Sequence, residues 1–130
     1  MGTSIPIEQY RRAAEIRIGI REFLHRSEDV ARRHGLTPQR YQLLLLVKAF
    51  GRNATVTTIC RGLRIGQSSV TELVNRAESL GLLRRVPVSG DARSNRLRLT
   101  ELGEQLLAAA FAELGPDRER LVSLLAPFTE

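Results

Sequence analysis

The sequence predicts a mainly α-helical fold with one small β-hairpin, built as a single domain over residues 1–130. Three observations predict it. Apolar residues recur at helical spacing over most of the chain. Two of the predicted helices are separated only by a short turn that contains glycine. Two β-prone runs then flank a Ser-Gly-Asp turn near residue 90.

The first two helices are predicted over the N-terminal third of the chain. The first runs from Glu8 to about His34, where Gly35 suits the position after a helix. Thr37 and Pro38 then form an N-cap and a first helical residue, and the second helix continues to about Phe50. Its apolar run, YQLLLLVKAF, is continuous, so we expect this helix at the centre of the core.

A helix-turn-helix is predicted next. A third helix covers about 56–63 and is capped by Thr55 or Thr57, and a fourth opens at Gln67 and ends at Gly81. Its apolar stripe is Val70, Leu73, Val74, Ala77 and Leu80. The residues expected on its outer side are Gln67, Ser68, Thr71, Glu72, Asn75 and Arg76.

A hairpin over residues 85–100 follows the helix-turn-helix. Leu97 and Leu99 alternate with Arg96 and Arg98, which predicts one packed face and one charged face. A fifth helix is predicted to start at Thr100 and to run to about Leu114. Gly115-Pro116 breaks that helix, and a last helix runs from about 117 to 127. The whole is a winged helix-turn-helix with flanking helices.

Positive charge is concentrated in this central part of the chain. Residues 52–98 contain nine arginines and three acidic residues, which gives +6, the formal charge of the entire sequence. A charged surface that only faces solvent usually carries positive and negative residues together, whereas this segment is mainly positive. It therefore predicts a surface that binds a polyanion.

Several other classes of protein are disfavoured. We find no apolar run long enough to span a bilayer and no set of nucleophile, base and orienting group, so we expect a cytoplasmic protein that is not an enzyme. His25 and His34 lack ligand-like spacing, and we expect no metal and no cofactor. Cys60 is interpreted as a small apolar filler of the core rather than a redox sensor.

One family resemblance covers nearly the whole chain. The run IGQSSVTELVNRAESLGLLRRVPVSGDARSNRLRLTELG resembles the MarR (multiple antibiotic resistance regulator) family of transcription factors. The Ser-Ser-Val-Thr opening of the fourth helix, the Asp-x-Arg of the hairpin (Asp91, Arg93) and the Leu-Thr-x-x-Gly that closes it carry the resemblance. Upstream, HGLTPQRYQLLLLV is similar to the family's second helix.

The resemblance implies a homodimer on a pseudo-palindromic operator in double-stranded DNA. It divides the chain into a DNA-binding lobe at about 36–100 and a helical dimerisation platform at about 5–34 and 101–128. The fourth helix would enter the major groove, and the hairpin tip an adjacent minor groove. The expected DNA contacts are Gln67, Ser68, Ser69, Thr71, Glu72, Asn75, Arg76, Arg93, Ser94, Asn95 and Arg96, with Asp91 and Arg85 organising the hairpin.

Two departures from the family pattern bear on these expectations. Glu72 stands where many relatives have a basic residue, so either the preferred operator differs or Glu72 pairs with Arg76, the interpretation we favour. The helix after Thr100 is also shorter than in relatives, which affects the dimer geometry and any effector cavity. The expected dimer contacts are Ile16, Ile20, Phe23, Leu102, Leu106, Leu107, Ala110, Phe111, Leu114, Leu121, Leu124 and Leu125.

The sequence therefore predicts a DNA-binding transcriptional regulator. The family resemblance further implies that it is a repressor that can respond to a small-molecule effector. The rival prediction is a winged helix used as a protein-interaction module. An enzyme of unrelated chemistry is a weaker third.

Overall fold

A computed structural model describes residues 2, 4–88 and 91–126, with the backbone alone for residues 91–94. The helices are α1 (Ile7–Arg33), α2 (Pro38–Phe50), α3 (Val56–Leu63), α4 (Gln67–Ser79), α5 (Glu101–Glu113) and α6 (Gly115–Leu125), with a 3₁₀ turn at Gly51–Asn53. The strands β1 (Leu83–Val88) and β2 (Asp91–Leu99) form an antiparallel hairpin, the wing. The predicted mainly helical fold with one hairpin is confirmed.

Local sequence signals explain where the helices begin. The Thr37 side chain accepts a hydrogen bond from the Arg40 N–H at 3.1 Å, and Pro38 follows it in the first turn of α2. Thr55, rather than Thr57, caps α3, through a reciprocal capping box with Thr58. Thr100 caps α5 in the same way as Thr37 caps α2.

The second helix lies at the centre of the core, as predicted. Leu43 and Leu44 are fully buried, and α2 contacts α1, α3, α4, α5 and β2. A nearly continuous apolar helix fits only where neighbours cover most of its circumference. It is therefore the element around which the lobe packs.

The wing is fastened to this core by its inner face. Leu83 lies opposite Leu99 and Arg85 opposite Leu97 in the ladder. Leu97 is 2% exposed, and its N–H donates to the Ala54 carbonyl at 2.7 Å. The alternation of packed leucine and outward arginine in β2 is confirmed at Leu97 and Arg98.

Two predictions about helix ends were wrong. The predicted break is present, since α5 ends at Glu113, but Gly115 and Pro116 form the first turn of α6 instead of preceding it, and there proline's missing N–H has no partner to lose. Leu80, expected in the packed stripe of α4, is 44% exposed because the helix ends one residue earlier and the chain turns at Gly81, whose φ is +76°.

The terminal helices pack against each other in one place through a glycine. A Cβ on Gly19 of α1 would stand 2.2 Å from Leu124 Cδ2 of α6. Among the residues of α1, only Val30 and Ala31 are fully buried. Most of this long helix therefore lies at the surface. No helix within the described ranges is long and apolar enough to cross a membrane.

Candidate nucleic-acid interface

The helix-turn-helix is formed by α3 and α4. Residues 64–66 join the two helices, and Arg64 adopts a left-handed conformation with φ of 58°. Left-handed backbone is uncommon for residues other than glycine and ends α3 abruptly. The short turn places α4 across α3, and β1 packs beside it.

One side of α4 is buried and the other faces solvent. Val70, Val74 and Ala77 are fully buried. On the outward face of α4, the exposed residues are Gln67, Ser68, Ser69, Glu72, Asn75 and Arg76, and Thr71 is half-buried. This face holds donors and acceptors of the kind that base edges can pair with.

The N-terminus of α4 offers free backbone donors. Its N-cap is Gly66, which provides no side-chain hydrogen bond. The first N–H groups of a helix have no partner within the helix, and the helix dipole adds positive potential there. Together with the exposed hydroxyls of Ser68 and Ser69, this end of α4 is suited to a phosphate oxygen.

Glu72 and Arg76 do not pair as predicted. Within the described part of the chain, neither side chain takes part in a salt bridge. Both are exposed, where an ion pair gains little energy and holding two side chains costs entropy. Glu72 and Arg76 instead line a shallow surface depression with Asn75 and Ser79.

Arg85 connects the base of the wing to the outward face of α4. Its Nη1 donates to Glu78 Oε1 at 2.5 Å, its backbone N–H to Glu78 Oε2 at 3.3 Å, and its Nη2 to Asn75 Oδ1 at 2.8 Å. Asn75 is thereby oriented with its amide NH₂ still available as a donor. Glu78 was not among the predicted site residues, since its partner lies in another element.

The wing tip extends beyond the described side chains. The predictions for Asp91, Arg93 and Ser94 concern side chains outside the described residues. Asn95 and Arg96 are half-buried. Arg96 Nε is out of contact with water and has no hydrogen-bond partner in the described part of the chain.

Other polar groups give no catalytic or metal-binding arrangement. The described ranges contain no group of three His, Cys, Asp or Glu residues that could hold a metal ion. Cys60 is half-buried and packs against the core. His34 Nε2 lies 2.9 Å from Glu113 Oε1, in a contact that joins the C-terminal ends of α1 and α5.

The structure also places the predicted dimer contacts. Leu107, Ala110 and Leu114 are at most 5% exposed within the single chain, which corrects their assignment to a dimer surface. They belong to the core because α5 packs against α2 through this side. Of the other predicted dimer contacts, three are exposed, namely Ile20, Leu102 and Phe111. The remaining six are half-buried: Ile16, Phe23, Leu106, Leu121, Leu124 and Leu125.

Comparisons of sequence identify relatives of the chain. A sequence profile of the MarR family matches residues 34–94. The chain is 30% identical over 105 residues to the HTH-type transcriptional regulator PecS of Dickeya dadantii (strain 3937), covering 79% of this chain and 61% of PecS. It thus spans about three fifths of the length of the curated relatives it matches.

Solved structures share the fold. A MarR family protein from Bacillus stearothermophilus has a TM-score of 0.74 at 22% identity, over 98% of this chain and 86% of that one. A mutant of S. aureus MepR bound to an oligodeoxyribonucleotide has a TM-score of 0.68 at 19% identity, over 92% of this chain and 84% of that one. By profile and relatives the chain is similar to the MarR family, and its fold is that of the solved MarR structures.

Proposed function

We propose that the chain is a sequence-specific transcriptional regulator that binds double-stranded DNA. The observation that supports this most directly is the outward face of α4, whose exposed polar side chains lie within a segment of net charge +6. PecS is named a transcriptional regulator, and the MepR mutant was solved on an oligodeoxyribonucleotide, which favours the same activity here.

Affinity and sequence preference come from different parts of the lobe. The arginines release counterions from phosphates and give binding to any duplex. The N-terminus of α4 fixes a phosphate, and Gln67, Glu72, Asn75 and Arg76 meet base edges in the major groove. Arg93, with Ser94, Asn95 and Arg96, follows the backbone to the minor groove beside it, where the potential is most negative.

The proposed assembly is a homodimer that occupies a pseudo-palindromic operator and represses transcription. Each copy supplies one α4, so the spacing of the half-sites is set by the terminal helices. Exposed apolar residues on α1 and α5, among them Ile20 and Phe111, are available for that contact. A response to a small-molecule effector stays a prediction.

The experiment that tests DNA binding is selection of bound sites from a random duplex pool, followed by affinity measurements at two or more salt concentrations. We expect a two-fold symmetric consensus. Arg93→Ala should weaken binding to every duplex and lower the salt slope by about one, the loss of one phosphate contact. Arg17→Ala, on the exposed surface of α1, is the control with the same change of charge.

Variants on α4 test the assignment of base contacts. Asn75→Ala should relax the preference at one position of the half-site, by about 1–3 kcal/mol of discrimination. Equal losses on all sequences would contradict a base-reading role for Asn75. If no duplex is bound even at low salt, the proposed function is wrong and the alternative of a protein-interaction module is favoured.

A further inference from the structure

A groove outside the α4 surface combines strong positive charge with an apolar floor. It has a volume of about 420 Å³ and runs between the C-terminal end of α2 and the open edge of β2. Val47, Leu97 and Leu99 form its apolar part. No residue of α4 lines it, so it is separate from the surface proposed to read base edges.

The cations around the groove exceed the anions. Lys48, Arg52, Arg96 and Arg98 line it, and Glu104 is the single carboxylate among the described residues of its lining. Glu104 is already engaged, since its Oε1 lies 3.0 Å from Lys48 Nζ. The three arginines make no salt bridge with any residue that the structure describes. Three arginines therefore line one small groove, and none of them has a salt-bridge partner among the described residues.

Two features indicate that these arginines are arranged at a cost to the fold. Arg98 stands directly opposite Arg84 in the ladder, and like charges in such a pair are destabilising. Arg96 Nε is buried and lacks a hydrogen-bond partner in the described ranges, which also costs free energy. An anion bound beside Arg98 would offset the first of these costs.

We propose that this groove binds a phosphate group, presented by a small phosphorylated molecule or by the backbone of bound DNA. The planar guanidinium group of arginine matches the spacing of phosphate oxygens. Phosphate is also a better ligand for three guanidinium groups than a single carboxylate is, because it carries two charges and several acceptor oxygens. The volume is in the range of small-ligand sites. A small-molecule source stands independently of the proposed regulatory function, whereas the DNA source rests on it.

The test is calorimetric titration with pyrophosphate at constant ionic strength, in the absence of DNA. Wild-type protein should bind it and unfold at a higher temperature in its presence, beyond the effect of chloride. Arg98→Gln and Arg52→Gln should each weaken binding by about tenfold, the size of one charge-assisted hydrogen bond. Arg61→Gln removes the same charge from the exposed surface of α3 and should bind as the wild type does.

The stability of Arg98→Gln without anion separates binding from folding. Because the substitution removes the like-charge pair with Arg84, the free variant should be at least as stable as the wild type while losing the pyrophosphate-dependent stabilisation. Equal pyrophosphate binding by Arg98→Gln, Arg52→Gln and Arg61→Gln would overturn the proposal. So would wild-type protein that does not distinguish pyrophosphate from chloride.

A second arm identifies the source of the phosphate. If the DNA backbone occupies the groove, pyrophosphate competes with duplex and Arg98→Gln lowers the salt slope of DNA binding by about one. If a small molecule occupies it, pyrophosphate binds to the protein–DNA complex and the slope is unchanged. If the wild-type protein binds pyrophosphate without DNA, either of these results supports the phosphate site. If the protein does not bind DNA at all, the pyrophosphate titration still tests the site.

Discussion

Arg85 shows what single residues add to the interface. It holds the base of the wing to α4 by hydrogen bonds to Glu78 and Asn75. The outward position of Asn75 follows from helical periodicity and was predictable. The contact between Asn75 and Arg85 was not predictable, because this contact depends on how β1 packs beside α4. The expected pair of Glu72 and Arg76 likewise depends on side-chain freedom at an exposed surface, which sequence spacing does not determine.

Among the described carboxylates, Glu113 has a pKa that its neighbours lower, so its charge should affect stability in acid. Its carboxylate accepts a hydrogen bond from His34 and lies beside Arg33, and together these hold the pKa of Glu113 below its ordinary value although partial burial opposes the shift. A lowered pKa means that the contribution of Glu113 to stability is present above the unfolded-state pKa. It is lost as the pH falls through the folded-state pKa.

Glu113→Gln should therefore flatten the acid limb of the stability curve. We expect the variant to differ from the wild type near neutral pH and to approach it as the pH falls below the ordinary carboxyl range. Chemical denaturation at several pH values measures this. Glu119→Gln, an exposed change on α6, is the control, and a parallel offset between Glu113→Gln and wild type at every pH would contradict the assignment.

At the scale of elements, short-range signals determined most of what could be predicted. The caps at Thr37, Thr55 and Thr100 locate three helix starts because each involves only neighbouring residues. The end of α4 and the start of α6 were misjudged by one or two residues, where the chain turns between elements. Contacts between elements, such as that of Gly103 with Leu82, have no signal in local sequence.

Gly103 allows α5 to approach the chain between α4 and β1. A Cβ at this position would lie 2.0 Å from the Leu82 carbonyl oxygen, a backbone atom that cannot move aside cheaply. Gly103→Ala should destabilise the protein by about 1–3 kcal/mol, as overpacking does elsewhere. Equilibrium unfolding in urea measures the change.

Gly115→Ala is the matched control. Its Cβ would stand 3.8 Å from Arg118 Nη2, an ordinary contact, and the residue begins α6. Its effect on stability should be small. Gly103→Ala that unfolds at the same urea concentration as Gly115→Ala would show that α5 can shift without loss.

At the scale of the whole molecule, apolar surface is left on the terminal helices. Ile18 and Leu24 of α1 are each 52% exposed, Phe111 of α5 is 42% exposed, and Val122 of α6 is 66% exposed. The family resemblance predicted a dimer through these helices. The sequence could not show which residues of α5 are buried within the single chain and which remain exposed for a partner. Leu107 and Phe111 lie one turn apart and differ in this respect.

Ile20→Glu should convert the proposed dimer into a monomer. A carboxylate on the apolar surface of α1 would have to be desolvated in a contact between copies, which is strongly unfavourable. Sedimentation velocity or light scattering gives the mass. Leu80→Glu is the control, since Leu80 is 44% exposed against 39% for Ile20 but lies outside the terminal helices. Wild-type mass for both variants would count against a dimer through α1.

The single hydrogen bond between Leu97 and Ala54 has a consequence for solubility. Beyond it, the outer side of β2 has no neighbouring strand in the described chain, so the hairpin presents an edge that another polypeptide could extend. Arginines at positions 96 and 98 place charge along that edge, and charged side chains discourage strand addition. Neutralising them together should therefore favour aggregation of the folded protein.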